Sequence, residues 1–250
     1  MRCQPRYDGP VYIWLKNKQS CLLCHEDVEE TAPICMACET ELPWLGDQCQ
    51  TCALPLFAPG MTCGQCLKQP PAFQQVAVPW LYDFPVDSLI TRFKHSAKWP
   101  YGRLLGELLA QYLQHRFDEG MQRADALVPV PMATRRLRQR GFNQAAMLVR
   151  WLGELLQIPC DEKLVLRVQD TSAQQDLKAD ARKKNLREAF ALTLDASIKG
   201  RHLALVDDVL TTGATAQAVA RLLMEAGAIQ VDVYCLARTP KPSESKACPR

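Results

Sequence analysis

The chain has 250 residues, of which 48 % are hydrophobic and 23 % are charged, and its formal net charge is +3. These values exclude a disordered, collagen-like or extremely charged protein, and the length suffices for one large domain or two smaller ones. No stretch approaches the roughly 18 apolar residues that a membrane span needs, and the first residues lack the compact apolar run of a secretory signal. We therefore expect a cytoplasmic protein without a membrane span.

Charge is distributed unevenly along the chain. Residues 1–72 carry a net charge of −3, whereas residues 92–150 carry +7. A basic surface in the second segment would suit phosphates or nucleic acid, and an ordinary solvated face explains the excess equally well.

Residues 1–20 have no clear period and are interpreted as an irregular arm. The next segment, residues 21–68, contains eight of the 12 cysteines in four Cys-x-x-Cys pairs separated by three gaps of ten residues. In a reducing compartment this spacing predicts zinc ligation by thiolates, and an iron–sulfur cluster is the alternative. The candidate ligands are Cys21, Cys24, Cys35, Cys38, Cys49, Cys52, Cys63 and Cys66.

Eight thiolates suit two tetrahedral ions. Pairing in chain order assigns Cys21 to Cys38 to one ion and Cys49 to Cys66 to the other, as two zinc ribbons in tandem. We favour this order because interleaved pairing closes longer loops at a greater entropic cost. His25, beside Cys24, is a possible competing ligand. So short a module buries little surface, so the metals would hold its fold together.

From residue 73 the pattern changes to alternating strands and helices, after a stiff Gln-Pro-Pro linker at residues 69–71. Apolar runs predict strands at 126–130, 203–206 and 229–235, and helical spacing predicts helices around 105–112, 148–155 and 216–223. Such alternation predicts an α/β fold whose parallel sheet is covered on both faces, over residues 73–238. Residues 239–250, with three prolines, are expected to be a disordered tail.

The segment Leu203–Thr215 carries most of the functional information. An apolar strand leads into two adjacent carboxylates, Asp207 and Asp208, and a short loop then opens a helix. Backbone N–H groups at a helix N-terminus hold a phosphate, whereas carboxylates suit sugar hydroxyls, directly or through Mg²⁺. A ribose 5-phosphate meets both demands. The loop residues are Thr211, Thr212, Gly213, Ala214 and Thr215.

This segment resembles the phosphoribosyl diphosphate (PRPP) signature of type I phosphoribosyltransferases. Further motifs, together with the cysteine pairs, are similar to the ComF/GntX family of DNA-uptake and DNA-utilisation proteins. These motifs are Val128-Pro-Val-Pro131, Arg135, Arg140-Gly-Phe-Asn-Gln144, Thr171, Gln174, Arg182, Asn185 and Phe190.

The resemblance implies a role for each matching residue. Asp207 and Asp208 would hold the ribose hydroxyls of Mg²⁺-PRPP, and Thr211–Thr215 would bind its 5-phosphate. Arg135 and Arg140 would neutralise the diphosphate near the turn after Val130 and Pro131. Residues 171–184 would close over the ligand as a mobile loop, although an ordinary exposed loop is an equal alternative. The candidate catalytic cations of that loop are Arg182, Lys183 and Lys184.

Three functions remain open at this stage. The first is a ComF-like protein that binds Mg²⁺-PRPP and acts in DNA uptake or in the use of DNA as a nutrient, with DNA-uptake proteins as partners. Whether it also catalyses pentosyl transfer is left open, with phosphoribosyl transfer as the favoured reaction. The second is a non-catalytic single-stranded-DNA-binding protein that uses the pocket only as a ligand site. The third is a zinc-ribbon adaptor. The arginines of residues 135–140 serve the first two functions equally.

Overall fold

The computed structural model describes residues 19–28, 33–96, 98–169, 189–194 and 196–240. Within it the chain forms two compact units, residues 1–40 and residues 41–250. The expected N-terminal arm, up to residue 18, and the expected tail, from residue 241, lie outside the described residues.

The first unit contains the first four candidate ligands, Cys21, Cys24, Cys35 and Cys38. Its described elements are a pair of two-residue antiparallel strands, β1 (Gln19–Ser20) and β2 (Asp27–Val28), and one short helix, α1 (Met36–Thr40). Two cysteines lie in the turn around β1 and β2, and two lie at the start of α1.

The second cysteine group belongs to the larger unit. Its helix α2 (Gly64–Lys68) carries Cys66, and the chain before it is hydrogen-bonded to the sheet: the Leu45 N–H donates to the Pro79 carbonyl at 2.7 Å. Ala53, between two of the cysteine ligands, is fully buried in the core of the α/β fold. The larger compact unit therefore begins at residue 41 and includes the second group of four candidate ligands. The domain boundaries at residues 21–68 and 73–238 stay predictions.

A parallel sheet forms the centre of the larger unit, as predicted. Its strands are β3 (Val76–Ala77), β4 (Trp80–Leu81), β5 (Ala126–Pro129), β8 (His202–Leu210) and β9 (Gln230–Arg238). They pair in the order β3-β9-β8-β5, and β4 also pairs with β9. Every pairing in this sheet is parallel.

Three helices, at residues 99–118, 144–156 and 214–225, pack against this sheet at the predicted places and extend beyond the predicted spans, because capping and packing continue past the apolar repeats. The side chain of Asn143 caps one of them by accepting the Ala145 N–H at 3.1 Å. The helices at residues 86–96 and 134–140 were not predicted from the sequence. The helices are α3 (Val86–Ser96), α4 (Trp99–Asp118), α5 (Thr134–Arg140), α6 (Gln144–Leu156) and α7 (Ala214–Glu225).

Strand alternation assigns residues of β8 to opposite faces. Leu203 and Leu205 belong to the core cluster that contains the buried residues of α7. On the other face of β9, Tyr234 contacts Phe117 of α4 at 6.4 Å between ring centroids. Both faces of the sheet are therefore covered, as the alternating sequence pattern predicts.

A separate antiparallel pair joins β6 (Val165–Arg167) to β7 (Phe190–Leu192). The chain between these strands includes residues 170–188, which lie outside the described residues. The predicted closing loop, residues 171–184, with its candidate cations Arg182, Lys183 and Lys184, falls in that segment.

Among the described residues, no helix combines the length and the apolar character that crossing a membrane would require.

Candidate ligand-binding site and metal centres

The eight cysteines form two tetrads in chain order, Cys21/Cys24/Cys35/Cys38 and Cys49/Cys52/Cys63/Cys66. Within each tetrad all four Sγ atoms lie within 4.8 Å of one another. The Sγ atoms of Cys24 and Cys35 are 3.7 Å apart, and those of Cys52 and Cys63 are also 3.7 Å apart. Zinc–sulfur bonds of about 2.3 Å in a tetrahedron place the sulfur atoms about 3.8 Å apart, so both tetrads fit zinc.

Backbone donors stabilise a thiolate in each tetrad. Burial raises the pKa of the Cys21 thiol, but hydrogen bonds from three backbone N–H groups outweigh burial and bring the pKa down to about 6. Cys49 follows the same pattern: burial raises its pKa, and backbone N–H groups, including that of Cys63 at 3.2 Å from Sγ, lower it to about 7. Such N–H···S contacts favour the thiolates that a metal ion needs.

His25 is not part of either tetrad. It is exposed, and its backbone adopts the left-handed conformation with φ of 66° directly after Cys24. The ligand sets of the described residues therefore consist of cysteines alone.

The paired carboxylates lie within β8, because the strand continues past the predicted end at Val206 to Leu210. Asp207 continues the face of Leu203 and Leu205, towards α7, and Asp208 lies on the opposite face. Burial and, second, the neighbouring charge of Asp208 raise the pKa of Asp207, and the net value is about 7. The Asp208 N–H, which donates to Asp207 Oδ1 at 2.9 Å, and the charge of Lys94 lower it.

Lys94 is a site residue that the sequence analysis missed. Its Nζ lies 3.0 Å from Asp208 Oδ1, and both side chains are largely buried, at 18 % and 14 % exposed. It lies in α3, far from Asp208 in the sequence. The one sequence signal that could have found it is its position in the basic segment of residues 92–150. This ion pair compensates the charge of one of the two adjacent carboxylates.

The loop after β8 opens α7, as predicted. Gly213 is the residue before the helix, with φ of 73°, a conformation that glycine adopts without strain. The Ala214 N–H donates to Thr212 Oγ1 at 3.3 Å, and the Gln217 N–H donates to the Gly213 carbonyl at 2.8 Å. The first N–H groups of α7 have no partner within the helix and point towards the loop, where an anion would bind.

The turn after β5 lies beside the carboxylates. Pro129 pairs with Val206, and the Val130 N–H donates to the Val206 carbonyl at 2.9 Å. Arg135 and Arg140 follow in α5, where Arg135 is exposed. Arg140 Nη1 donates to the buried Gln144 at 3.2 Å, and Gln144 in turn donates to the Lys94 carbonyl at 3.5 Å. These contacts connect α5 to the residue that pairs with Asp208.

Arg238 is a second residue that the sequence analysis missed. It ends β9, it is buried, and its guanidinium donates to the carbonyl of Cys52 and to the carbonyls of Leu210 and Thr211 at the start of the phosphate-loop candidate. No motif marks it, because its partners come from distant parts of the chain.

A cavity of about 700 Å³ lies away from these residues, against Gln75 and the C-terminal turns of α4. It is near the sheet edge where β3 begins, whereas the carboxylates lie where β8 ends. We therefore do not assign it to the candidate site.

Two family models match this chain. The model of the double zinc ribbon domain matches residues 18–67, and that of the phosphoribosyl transferase domain matches residues 106–248. The first range contains both cysteine tetrads, and the second contains β5, β8 and α7.

Curated relatives share both parts. The "DNA utilization protein YhgH" of Salmonella typhimurium is 37 % identical over 207 residues, covering 82 % of this chain and 90 % of that protein. The "Competence protein F" of Haemophilus influenzae is 34 % identical over 209 residues, with the same coverage. Among solved structures, a hypoxanthine phosphoribosyltransferase from Staphylococcus aureus matches with a sequence identity of 14 % and a TM-score of 0.37. The match covers 59 % of this chain and 70 % of that enzyme's chain.

The chain is thus a phosphoribosyltransferase-domain protein that also carries a double zinc ribbon. With relatives of this identity and coverage, it belongs to the ComF family of competence and DNA-utilisation proteins.

Proposed function

We propose that the sheet edge at Asp207 and Asp208 binds Mg²⁺-PRPP, and that the protein acts in the cytoplasm in the uptake or use of DNA. The observation that carries this proposal is the meeting of two carboxylates with a Thr/Gly loop at the start of α7. The printed names of the relatives support the biological setting, since they are DNA-utilisation and competence proteins.

The loop at residues 211–215 would take the 5-phosphate. Backbone N–H groups at a helix N-terminus favour a phosphate through their hydrogen bonds and through the helix dipole, and the threonine hydroxyls add donors. The left-handed Gly213 lets the chain turn into α7 at this point.

The carboxylates would take the ribose hydroxyls, directly or through water on the Mg²⁺ ion that arrives with PRPP. The raised pKa of Asp207, at about 7, lies near neutrality because the group is buried beside a second carboxylate. A cation at this edge favours the ionised form, so magnesium and the charged carboxylate stabilise each other. Arg135 and Arg140 would lie near the diphosphate.

Calorimetry with Mg²⁺-PRPP tests this site. We expect the double variant Asp207→Asn/Asp208→Asn to bind about 100-fold more weakly or not at all, since two charge-assisted contacts are lost, while its zinc content stays at the wild-type level. Asp125→Asn makes the same change at the opposite edge of the sheet, where its side chain accepts the His202 N–H at 2.8 Å. We expect this control to bind as the wild type does, and unchanged PRPP affinity in the double variant would remove the site assignment.

Turnover is tested separately. If the protein transfers the pentose, the bond from C1 to diphosphate breaks, a nucleophile bonds to C1, and diphosphate is released. We expect diphosphate release from Mg²⁺-PRPP in the presence of one member of a panel of bases and amines. If no member of the panel causes diphosphate release while PRPP still binds, PRPP is a ligand that the protein does not turn over.

Single-stranded DNA binding is a second candidate function, and a surface next to the site favours it. Helix α5 exposes arginines at its surface, and Trp99 stacks on Phe142, directly after α5, at 5.5 Å and 22° between the rings. Trp99 remains 46 % exposed. Basic side chains beside an exposed aromatic ring are the combination that binds single strands through phosphates and base stacking.

An oligo-dT titration at several salt concentrations tests the second candidate. We expect Trp99→Ala to weaken binding by about tenfold, and Arg136→Ala with Arg138→Ala to reduce the salt dependence by about two ions. Met224→Ala, at a partly exposed apolar residue of α7, is the control. Equal affinities for all four proteins would argue against this surface.

A further inference from the structure

Arg238 connects the second cysteine tetrad to the loop proposed to bind phosphate. Its Nε donates to the Cys52 carbonyl at 3.0 Å, and its Nη1 donates to the Leu210 carbonyl at 3.0 Å and to the Thr239 carbonyl at 2.7 Å. Nη1 also contacts the Thr211 carbonyl. The residue is only 6 % exposed, so a buried charge is here solvated by backbone carbonyls from two separate segments.

The first of these segments is held by the tetrad. Cys52 contributes its Sγ to the second cluster, 3.7 Å from the Sγ of Cys63. Ala53 follows in the left-handed conformation, with φ of 52°, and is fully buried in the sheet core. The carbonyl of Cys52 is therefore fixed between a metal ligand and a buried residue.

The second segment is the start of the phosphate-binding loop. In a planar trans peptide the C=O and the N–H of one peptide unit point in opposite directions. Because Arg238 holds the carbonyls of Leu210 and Thr211, the N–H groups of Thr211 and Thr212 point away from it. Arg238 thus presents two backbone donors to the side of the loop where an anion would bind, without touching the anion.

We propose that the second metal site acts as an internal brace of the phosphate loop, which means that it helps to hold the loop in its binding conformation. Arg238 is the positioning residue that connects the metal site to the loop. The first tetrad, in the separate unit of residues 1–40, has no such role. This inference rests on the proposed function, because it assigns a cause to the phosphate affinity of the same loop.

Calorimetry with ribose 5-phosphate, alongside amide hydrogen exchange of residues 211–214, tests the brace. Arg238→Lys keeps the charge but lacks the planar fork that reaches Cys52 and the loop together. We expect roughly tenfold weaker ribose 5-phosphate binding and faster exchange of the loop amides. Arg201→Lys is the matched control, because Arg201 donates to the Ser197 carbonyl at 3.0 Å at the opposite edge of the sheet.

A second pair of variants compares the two metal sites. Cys63→Ser and Cys35→Ser each remove one ligand, from the second and the first tetrad respectively, and each should lower the zinc content from two ions to one. We expect Cys63→Ser to reproduce the weaker binding and faster loop exchange of Arg238→Lys, and Cys35→Ser to match the wild type. Equal behaviour of the two cysteine variants, or wild-type loop exchange in Arg238→Lys, would overturn the brace.

The two readouts separate this inference from the proposed function. If the wild type binds neither ribose 5-phosphate nor PRPP, the proposed function fails, and loop exchange in the absence of ligand still decides the role of Arg238. If Arg238→Lys does not fold, the comparison of Cys63→Ser with Cys35→Ser decides it.

Discussion

Asp207 and Asp208 are neighbours in the chain but have different surroundings. Asp208 is compensated by Lys94 Nζ at 3.0 Å, whereas Asp207 receives the Asp208 N–H and lies on the face towards α7. Burial, followed by the charge of Asp208, raises the pKa of Asp207 to about 7. At the scale of single residues, the site therefore holds one paired carboxylate and one whose ionisation is unfavourable in the free protein.

Asp207→Asn should stabilise the folded protein at high pH. The pKa of Asp207 is about 7 in the folded state, against an ordinary value of 3.8, so between these pH values the folded state binds a proton that the unfolded state has released. The wild type consequently loses stability as pH rises from about 4 to about 7, and the amide variant does not. We expect a gain of about 2 kcal/mol at pH 8, or about 4–8 °C in Tm, and a much smaller gain at pH 5.

Thermal unfolding followed by circular dichroism at pH 5 and pH 8 measures this difference. Asp118→Asn, which makes the same change at an exposed position of α4, is the control and should shift neither value. A gain for Asp207→Asn that is equal at both pH values would contradict the raised pKa.

At the scale of elements, close packing of α3 against α4 positions Lys94. Gly102 of α4 faces Phe93 of α3, and a Cβ atom at residue 102 would lie 2.4 Å from Phe93 Cδ2. Phe93 is fully buried and precedes Lys94 directly. The glycine therefore allows the two helices to approach, and this approach places the lysine near the end of β8.

Gly102→Ala should destabilise the protein although alanine is the better helix former. The added methyl group must displace a buried aromatic ring, which costs about 1–3 kcal/mol. We expect Tm to fall by about 2–12 °C. Gln111→Ala, at an exposed position of the same helix, should leave Tm within about 1 °C of the wild type. A Gly102→Ala variant as stable as the wild type would show that the ring moves without cost.

At the scale of the whole molecule, the two cysteine tetrads have different structural roles. The first belongs to residues 1–40, and the second belongs to the compact unit that contains the sheet. In that unit Trp44 packs against Trp80 of β4 at 5.5 Å between ring centroids, and the Leu81 N–H donates to the Pro43 carbonyl at 2.8 Å. We therefore expect metal in the second tetrad to stabilise the unit that contains the sheet.

Removing a ligand from each tetrad should separate these roles. Cys49→Ser, at a buried ligand of the second tetrad, should lower the main unfolding transition by about 5 °C or more, because metal binding stabilises the unit that holds it. Cys21→Ser should remove one zinc ion and leave that transition unchanged. Calorimetry together with near-ultraviolet circular dichroism measures both, and equal losses in the two variants would contradict the division at residues 40 and 41.

Local spacing and local chemistry were sufficient for much of this protein. Four Cys-x-x-Cys pairs predicted two tetrads, because two thiolates from one tight turn lie on the same side of a metal ion. The run from Leu203 to Thr215 predicted a strand, a loop and a helix, because the hydrophobic pattern of each element can be recognised from neighbouring residues alone.

Only the tertiary structure decided which distant residues meet at the site. The hydrogen bond from Arg238 to Cys52 spans 186 residues, and Lys94 of helix α3 reaches Asp208 of strand β8. Such contacts depend on the order of strands in the sheet and on helix packing, and no local period encodes them. For the same reason the equal spacing of the cysteine pairs does not reveal that Ala53, beside the second tetrad, is buried in the sheet core.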